Sequence, residues 1–273
     1  MNTIIKRIAG HFLIKGDVVS VDSHFNGLVN KTFLVRTQDE NGCYDYIIQR
    51  INTYVFPEPK RLMENIVHVT RHIASKKDHN HTLHVILTKE GKTLVEDESG
   101  CYRCYHYLEN TRNYQQLQDN RQFKEVGRAI GIFQNHLRDF PVKLLHEVIP
   151  HFHNTPKRIR ALKKAVKIGQ KERVRETKTE INTFLAQKDF LSRIQTALDG
   201  GILPYRVTHN DTKLNNVMFD CLTNRALCLI DLDTVMPGTV LFDFGDALRV
   251  GASTRAEDDE EFNSVAFDLE RFV

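Results

Sequence analysis

The residues whose types and spacing could carry chemistry lie in one stretch, His209 to Asn216, and in a short segment downstream of it. The stretch reads H-N-D-T-K-L-N-N, so an aspartate follows the histidine by two positions and an asparagine follows that aspartate by five. Downstream, Asp231 and Asp233 follow an apolar run that ends at Ile230. Carboxylate and amide oxygens in this order can accept a proton and bind a hard divalent cation.

Asp211 is the candidate catalytic residue of this stretch. A hydroxyl that receives a phosphoryl group must be oriented and must lose its proton, and a carboxylate within hydrogen-bonding distance can do both. Asn216 and Asp231 would supply oxygen ligands to Mg²⁺ that bridges the phosphates of a nucleotide. The order H-x-D-x-x-x-x-N, followed by an aspartate at the end of an apolar strand, matches the catalytic loop and metal-binding turn of kinase-fold enzymes. We expect His209 to brace this loop by hydrogen bonds rather than to act as the base.

Asp233 is a further candidate metal ligand. Side chains on one face of a strand repeat every two residues, so Asp231 and Asp233 would lie on the same side if their segment is extended. Two carboxylates on one side would attract a cation. The sequence therefore predicts a cation site built from Asn216, Asp231 and Asp233.

The elements that must position these residues begin with a β-rich part. An apolar stripe at Leu62, Ile66, Val69 and Ile73 predicts one helix within it. The extended runs, separated by turn-rich pieces, cover residues 17–21, 32–36, 44–48, 82–88 and 101–108. The first 110 residues therefore read β-β-β-α-β-β, which predicts a five-stranded antiparallel sheet with one helix.

After residue 110 the pattern becomes helical. Apolar residues repeat at three or four positions from Phe123 to Leu137, and the charged stretch 156–198 predicts two further helices. We expect an α+β, bilobal, protein-kinase-like fold with a hinge near Leu108–Arg112. Residues 1–110 would form the β-rich nucleotide-binding lobe and residues 111–273 the mainly helical lobe with the catalytic loop, and the nucleotide would lie between the two.

Composition excludes several other classes of protein. Basic and acidic residues number 38 and 35, for a net charge of +3, so no global field favours nucleic acid or a membrane surface as a partner. The N-terminus lacks the apolar stretch of a signal peptide or membrane span, and five cysteines are an odd count that favours reduced thiols. We expect a cytoplasmic protein with small-molecule partners, and the sequence does not determine its oligomeric state.

Three segments carry a resemblance to a known family: YIIQRINTYVFPEPKRLMENI (46–66), THNDTKLNNVMFD (208–220) and LIDLDTVMPGTVLFDFGDALRVGA (229–252). With them the chain resembles the aminoglycoside phosphotransferase and choline kinase superfamily, and most narrowly the bacterial N-acetylhexosamine 1-kinases. The resemblance implies ATP and Mg²⁺ as cofactors and phosphorylation of the anomeric hydroxyl of N-acetylglucosamine or N-acetylgalactosamine. It makes Asp211 the base, Asn216 and Asp231 metal ligands, and Asp233 a nearby acidic position. Asp243 and Asp246 would hold the second lobe together.

The phosphate side departs from the kinase pattern. The first hairpin, SHFNGLVNKTF, has one glycine, and Gln49 or Arg50 stands where a strand lysine is expected. Gln49 supplies no charge, so Arg50 would have to turn inward, or another group must neutralise the phosphates. Glu64 is the expected acidic partner on the following helix. The candidate nucleotide-binding residues are therefore Asn30, Thr32, Gln49, Arg50 and Glu64.

Other interpretations remain open. The chain ends at 270–273 in what resembles the opening of a helix, whereas the family continues for several more helices, so the C-terminal part is expected to be missing. An inactive nucleotide-binding homologue is therefore one alternative. A kinase of an amino alcohol or aminoglycoside is another, with the acidic run 258–261 as a binding surface for cations. The C-x-x-C pair Cys101 and Cys104 has no second pair at zinc-ribbon distance, which favours a structural role.

Overall fold

A computed structural model of the chain describes residues 1–25, 29–76, 82–117, 119–254 and 266–268. It divides into two compact units, Met1–Val148 with Val207–Val273, and Ile149–Arg206. None of the helices within the described ranges has the length and apolar character needed to cross a lipid bilayer. The residues singled out above as candidates for chemistry all lie in the first unit.

An antiparallel sheet forms the first part of this unit. Its strands are Asp17–Phe25 (β1), Lys31–Asp39 (β2), Gly42–Ile51 (β3), Val85–Ile86 (β4), Val95–Asp97 (β5) and Gly100–His106 (β6). The strand order is β1-β2-β3-β6-β4, and β5 also pairs with β6. The expected five-stranded sheet is thus six-stranded in the described part of the chain. The strand β5 escapes sequence analysis because three residues are too few to show an alternating pattern.

A helix, Asn2–Ala9 (α1), precedes the sheet and was not predicted. Its apolar residues Ile5 and Ile8 are fully buried, in one cluster with Phe33, Ile48 and Cys104 of the sheet. Basic residues in its last turn interact favourably with the negative end of the helix dipole. This helix therefore covers one face of the sheet, and the face that carries Gln49 is the other.

The predicted helix after β3 is present as Pro59–Ala74 (α2), with proline at its start and the apolar stripe buried. Its Asn65 is also completely buried. The side-chain amide of Asn65 donates to the carbonyl oxygens of Val235, at 2.9 Å, and of His146, at 2.8 Å. The Asn65 side-chain oxygen accepts the His146 N–H at 2.8 Å. Because these bonds are buried and complete, α2 is tied to the segment that follows Asp233.

The strand expected over residues 82–88 is much shorter. Only Val85 and Ile86 pair with β6. Beyond them the backbone bonds to the N-terminal segment instead, because the Leu13 N–H donates to the Leu87 carbonyl and the Lys89 N–H donates to the His11 carbonyl, both at 2.8 Å. The N-terminal segment, which sequence analysis had left without structure, thus ends this strand early.

The rest of the first unit surrounds the candidate catalytic loop. Its elements are Thr111–Arg112 (β7), Asn120–His136 (α3), Arg206–Thr208 (β8), Val217–Asp220 (β9), Ala226–Leu229 (β10), Met236–Gly238 (β11) and Val240–Gly251 (α9). The strands form two small sheets, β10-β9-β7 and β11-β8. The loop 209–216 joins β8 to β9, and the turn that contains Asp231 and Asp233 joins β10 to β11.

The second unit contains more helices than the two predicted over 156–198. They are Thr155–Ile168 (α4), Lys171–Glu176 (α5), Lys178–Ala186 (α6), Lys188–Leu191 (α7) and Arg193–Asp199 (α8). Hydroxyl groups stand at two of the breaks. Thr177, between α5 and α6, and Ser192, between α7 and α8, each donate to a backbone carbonyl four residues earlier, at 2.8 and 2.6 Å, which competes with the helical ladder. No residue of α4 to α7 is buried, as expected for a solvated charged face.

Burial of α1 predicts a measurable stability effect. Ile8→Ala would remove a fully buried side chain from the cluster beneath the sheet. We expect a loss of about 2–5 kcal/mol in the free energy of unfolding, because deletion of buried methyl groups loses transfer energy and leaves a cavity. Urea titration followed by circular dichroism measures this. The exposed Lys6→Ala on the same helix is the control, with an expected change within about 0.5 kcal/mol. Equal stability of the two variants would contradict this packing.

Candidate active site

The loop from His209 begins with a left-handed residue, Asn210, at φ 65°. Asparagine adopts this conformation more easily than most residues do. The buried His209 places Nε2 2.9 Å from the Ile230 carbonyl oxygen, and its Nδ1 accepts the Asp211 N–H at 3.3 Å. Its ring also packs edge-on against Phe133, with centroids 5.7 Å apart. These contacts are with backbone groups and an apolar ring, which supports the expected bracing role of His209.

Asp243 fixes the same loop from α9. Its carboxylate, fully buried, accepts the backbone N–H groups of His209 at 3.0 Å and Asn210 at 2.7 Å, and the side-chain amide of Gln134 at 2.5 Å. Burial raises the pKa of Asp243, while His209 and these hydrogen bonds act in the opposite direction. One turn later Asp246 accepts the Thr212 N–H at 2.7 Å. Two carboxylates of one helix thus hold the backbone on both sides of Asp211.

Asp211 itself is partly open to solvent, with 24% of its side chain exposed. Its Oδ2 accepts a hydrogen bond from Asn216 Nδ2 at 2.9 Å, and the same Nδ2 lies 2.9 Å from the Asp211 carbonyl oxygen. Its Oδ1 forms an ion pair with Lys213 Nζ at 3.2 Å. The structure therefore brings the candidate base and the candidate ligand Asn216 into direct contact.

Asp231 lies beside this pair because the Ile230 N–H donates to the Asn216 carbonyl oxygen at 2.8 Å. Asp231 as a residue is exposed to solvent. Burial, and next the charge of Asp233, raise the pKa of Asp231 to about 7, against the opposing effect of Arg103. No donor among the described residues forms a hydrogen bond with this carboxylate. A carboxylate that has no hydrogen-bond donor and lies close to other carboxylates suits a divalent cation. Asp231, Asn216 and the phosphate oxygens of a nucleotide would be the ligands of this cation.

The extended segment that would place Asp231 and Asp233 on the same side is not present. Asp231 is left-handed, at φ 57° and ψ 56°, and Leu232–Thr234 form a single 3₁₀ turn, so the segment is not extended. Asp233 consequently does not share a strand face with Asp231. Its Oδ1 forms an ion pair with Arg103 Nη1 at 2.5 Å, and its Oδ2 accepts from Asn30 Nδ2 at 2.6 Å. Both oxygens of this buried carboxylate are therefore bonded to the β-rich part of the unit.

Three candidate nucleotide-binding residues lie near this ion pair. Gln49 Nε2 donates to Thr32 Oγ1 at 3.0 Å, and Gln49 Oε1 accepts from Arg103 Nε at 2.9 Å. Asn30 completes the group, because its side-chain oxygen accepts the Asn52 N–H at 2.9 Å while its amide reaches Asp233. Asn30, Thr32 and Gln49 thus form one connected polar network.

Arg50 and Glu64 lie elsewhere. Arg50 does not turn inward: it stands on the face of β3 opposite Gln49, with its side chain over Gly100, where a Cβ atom would come within 2.5 Å of Arg50 Nε. Glu64 lies with its Oε2 2.7 Å from His146 Nε2. Neither side chain forms a hydrogen bond with Gln49 in the part of the chain that the structure describes. The acidic run 258–261 lies outside the described residues.

Arg103 is the residue of this network that sequence analysis missed. Its side chain is 1% exposed, in a strand whose other residues from 101 to 105 are neutral and buried. A lone charge in such a strand was the available signal, and the antiparallel pairing of β6 with β3 places Arg103 directly opposite Gln49. Cys101 and Cys104 fall on opposite faces of the same strand, so they do not form a pair of metal ligands.

Comparison with known proteins agrees with this geometry. The model of the phosphotransferase enzyme family matches residues 25–271 of the chain. A spectinomycin phosphotransferase solved with ADP and spectinomycin is similar at a TM-score of 0.56 and 16% identity, over 89% of this chain and 72% of that one. An aminoglycoside phosphotransferase from Alicyclobacillus acidocaldarius gives 0.57 and 13%, over 89% and 69%. A choline kinase from Streptococcus pneumoniae gives 0.52 and 15%, over 90% and 73%.

At these identities the solved structures show the fold, which is the α+β protein-kinase-like fold expected from the sequence. The family match covers most of the chain and includes both the loop at Asp211 and the turn at Asp231. The chain therefore belongs to the phosphotransferase enzyme family.

Proposed function

We propose that this protein transfers the γ-phosphoryl group of ATP to the anomeric hydroxyl of an N-acetylhexosamine, giving the sugar 1-phosphate. The observation that carries phosphoryl transfer is the cluster of Asp211, Asn216 and Asp231, held by the Asn216 amide and by the Ile230 backbone N–H. The choice of a hexosamine rests on the resemblance of segments 46–66, 208–220 and 229–252 to the N-acetylhexosamine 1-kinases. The nucleotide-binding role of residues 1–110 and the catalytic role of residues 111–273 belong to the same proposal.

The proposed mechanism is direct in-line transfer. Asp211 orients the acceptor hydroxyl and takes its proton as the oxygen–phosphorus bond forms and the bond from the γ-phosphorus to the bridging oxygen breaks. Asn216 holds Oδ2 and Lys213 holds Oδ1 of the Asp211 carboxylate, whose side chain is still 24% exposed and therefore within reach of an acceptor hydroxyl. Mg²⁺, held by Asp231 and Asn216, would neutralise charge on the phosphate oxygens when bound. The residues Asn30, Thr32 and Gln49 would line the phosphate side.

Asp211→Asn tests the assignment of the base. The amide keeps the shape of the side chain but cannot accept the proton, so kcat should fall by about 10²–10⁴-fold. Nucleotide affinity, measured by calorimetry, should remain nearly unchanged. Asp17→Asn is the matched control. Asp17 is an exposed aspartate at the start of β1, and this variant should retain full activity. If Asp211→Asn keeps most of its turnover, Asp211 is not the base.

Asp243→Asn tests the brace beneath the loop. The new amide would direct N–H groups at the backbone donors of His209 or Asn210, which leaves buried donors unpaired at a cost of about 1–3 kcal/mol. We expect a lower melting temperature together with a lower kcat. Asp199→Asn, on the exposed face of α8, is the control and should change neither. A variant of Asp243 with wild-type stability and turnover would show that the loop does not need this brace.

The acceptor is identified by product analysis. The purified chain is incubated with ATP, Mg²⁺ and, separately, N-acetylglucosamine, N-acetylgalactosamine, choline and an aminoglycoside, and the products are read by mass spectrometry. We expect a hexosamine 1-phosphate. Phosphocholine or a phosphorylated aminoglycoside as the product would show that the acceptor is an amino alcohol or an aminoglycoside and not a sugar. Nucleotide binding with no product would favour the inactive homologue.

A further inference from the structure

We propose that Arg103 is a positioning residue that holds the turn after β10 through Asp233, and that Asp233 is the partner of Arg103 rather than a second ligand of the metal. This inference rests on the proposed function, because it concerns how Asp231 is presented to the metal and nucleotide. It changes the expected cation site from two carboxylates to Asp231 with Asn216.

The contacts of Asp233 are the first argument. Its carboxylate is almost completely buried, and each oxygen already faces a group of the protein: Oδ1 is in an ion pair with Arg103 Nη1 at 2.5 Å, and Oδ2 accepts a hydrogen bond from Asn30 Nδ2 at 2.6 Å. A metal ligand needs an oxygen lone pair directed at the ion and free of competing charge. Asp231 offers this, because no donor among the described residues forms a hydrogen bond with it, whereas the oxygens of Asp233 face the charge of Arg103 and the amide of Asn30.

The surroundings of Arg103 are the second argument. Burying an ion pair costs desolvation free energy, and the attraction between the two charges compensates this cost only when their remaining donors and acceptors also have partners. Arg103 meets part of this requirement, since its Nε donates to Gln49 Oε1 at 2.9 Å and its guanidinium carbon lies 5.3 Å from the Tyr105 ring centroid, while its Nη1 faces Asp233 as an ion pair. Burial opposes its charge, whereas Asp233 and, to a lesser extent, Tyr105 and Asp231 act in the opposite direction, and the pKa of Arg103 is raised. Arg103 is therefore a buried cation in direct contact with the Asp233 carboxylate.

The third argument is what the pair connects. Asp233 stands two residues after Asp231 in a tight turn, so fixing Asp233 limits where the Asp231 carboxylate can point. Arg103 lies on β6, and Asn30 bonds to the Asn52 N–H after β3. The pair thus links the turn to two strands of the sheet. Removing Arg103 would free the turn and leave an uncompensated carboxylate beside Asp231.

A double-mutant cycle on Arg103 and Asp233 tests the proposal. The variants are Arg103→Met, Asp233→Asn and the two combined. For each, calorimetry measures the affinity for a non-hydrolysable ATP analogue across a Mg²⁺ titration, and thermal unfolding is recorded alongside. Arg36→Met is the matched control, since it removes an arginine from an exposed ion pair with Asp45 on the same sheet.

Arg103→Met should weaken Mg²⁺-dependent nucleotide binding by about 10–100-fold, the range typical of residues that orient a metal ligand. Adding Asp233→Asn should restore much of this affinity, because the unpaired carboxylate is then gone. Excess Mg²⁺ should also restore kcat in Arg103→Met, which a general loss of folding would not allow. Arg36→Met should leave the Mg²⁺ requirement unchanged.

The opposite result has a distinct form. If Asp233 ligates the metal, Asp233→Asn weakens the Mg²⁺ dependence by itself and weakens it further in the Arg103→Met background, which overturns the proposal. If Arg103→Met does not fold, the folded double variant still decides, since near-wild-type Mg²⁺ affinity supports the proposal and its loss contradicts it. If the wild-type chain binds no nucleotide, the proposed function fails. The ion pair is then tested separately by the melting temperatures, which should fall less in the double variant than the sum of the changes in the two single variants.

Discussion

The site depends on one buried interaction, the acceptance of two successive backbone N–H groups by the Asp243 carboxylate. A left-handed residue at position 210 turns its N–H inward, where water cannot satisfy it, so a buried acceptor is required. Asp243 meets that requirement from α9, and Thr212 is fixed in the same way by Asp246. Because Asp211 lies between the bonded residues, backbone geometry sets the position of its side chain, and Asn216 and Lys213 then hold its carboxylate.

The turn that contains Asp231 and Asp233 is organised by a different constraint, the repulsion between neighbouring carboxylates of which one is buried. Asp231 and Asp233 share one short turn, and two nearby carboxylates repel each other. The structure gives the two carboxylates different surroundings. Asp233 faces Arg103 within the protein, whereas Asp231 has no hydrogen-bond donor among the described residues and is the ligand that we propose for a cation. The left-handed conformation at Asp231 makes this division possible, since an extended segment would have put both side chains on one face.

Local patterns predicted much of this arrangement. The stripe at Leu62 and Ile66 specified α2, and the spacing within 209–216 specified the loop, because both depend on residues close in sequence. Features set by distant residues were not predictable in this way. The helix α1 gains its stability from burial against the sheet, which a ten-residue N-terminus does not reveal. The position of Asp233 depends on Arg103, more than a hundred residues earlier in the chain.

Arg103 is also a buried charge next to Gln49, in a region that Arg50 of β3 does not reach. The comparison with kinases places a lysine on that strand, but catalysis depends on the location of charge and not on the strand that supplies it. Neighbouring strands present side chains on the same face, so a residue of β6 opposite Gln49 reaches the same region. Arg50, adjacent to Gln49 in sequence, cannot, because alternation sends it to the opposite face. Register across the sheet therefore locates the buried cation better than position along one strand.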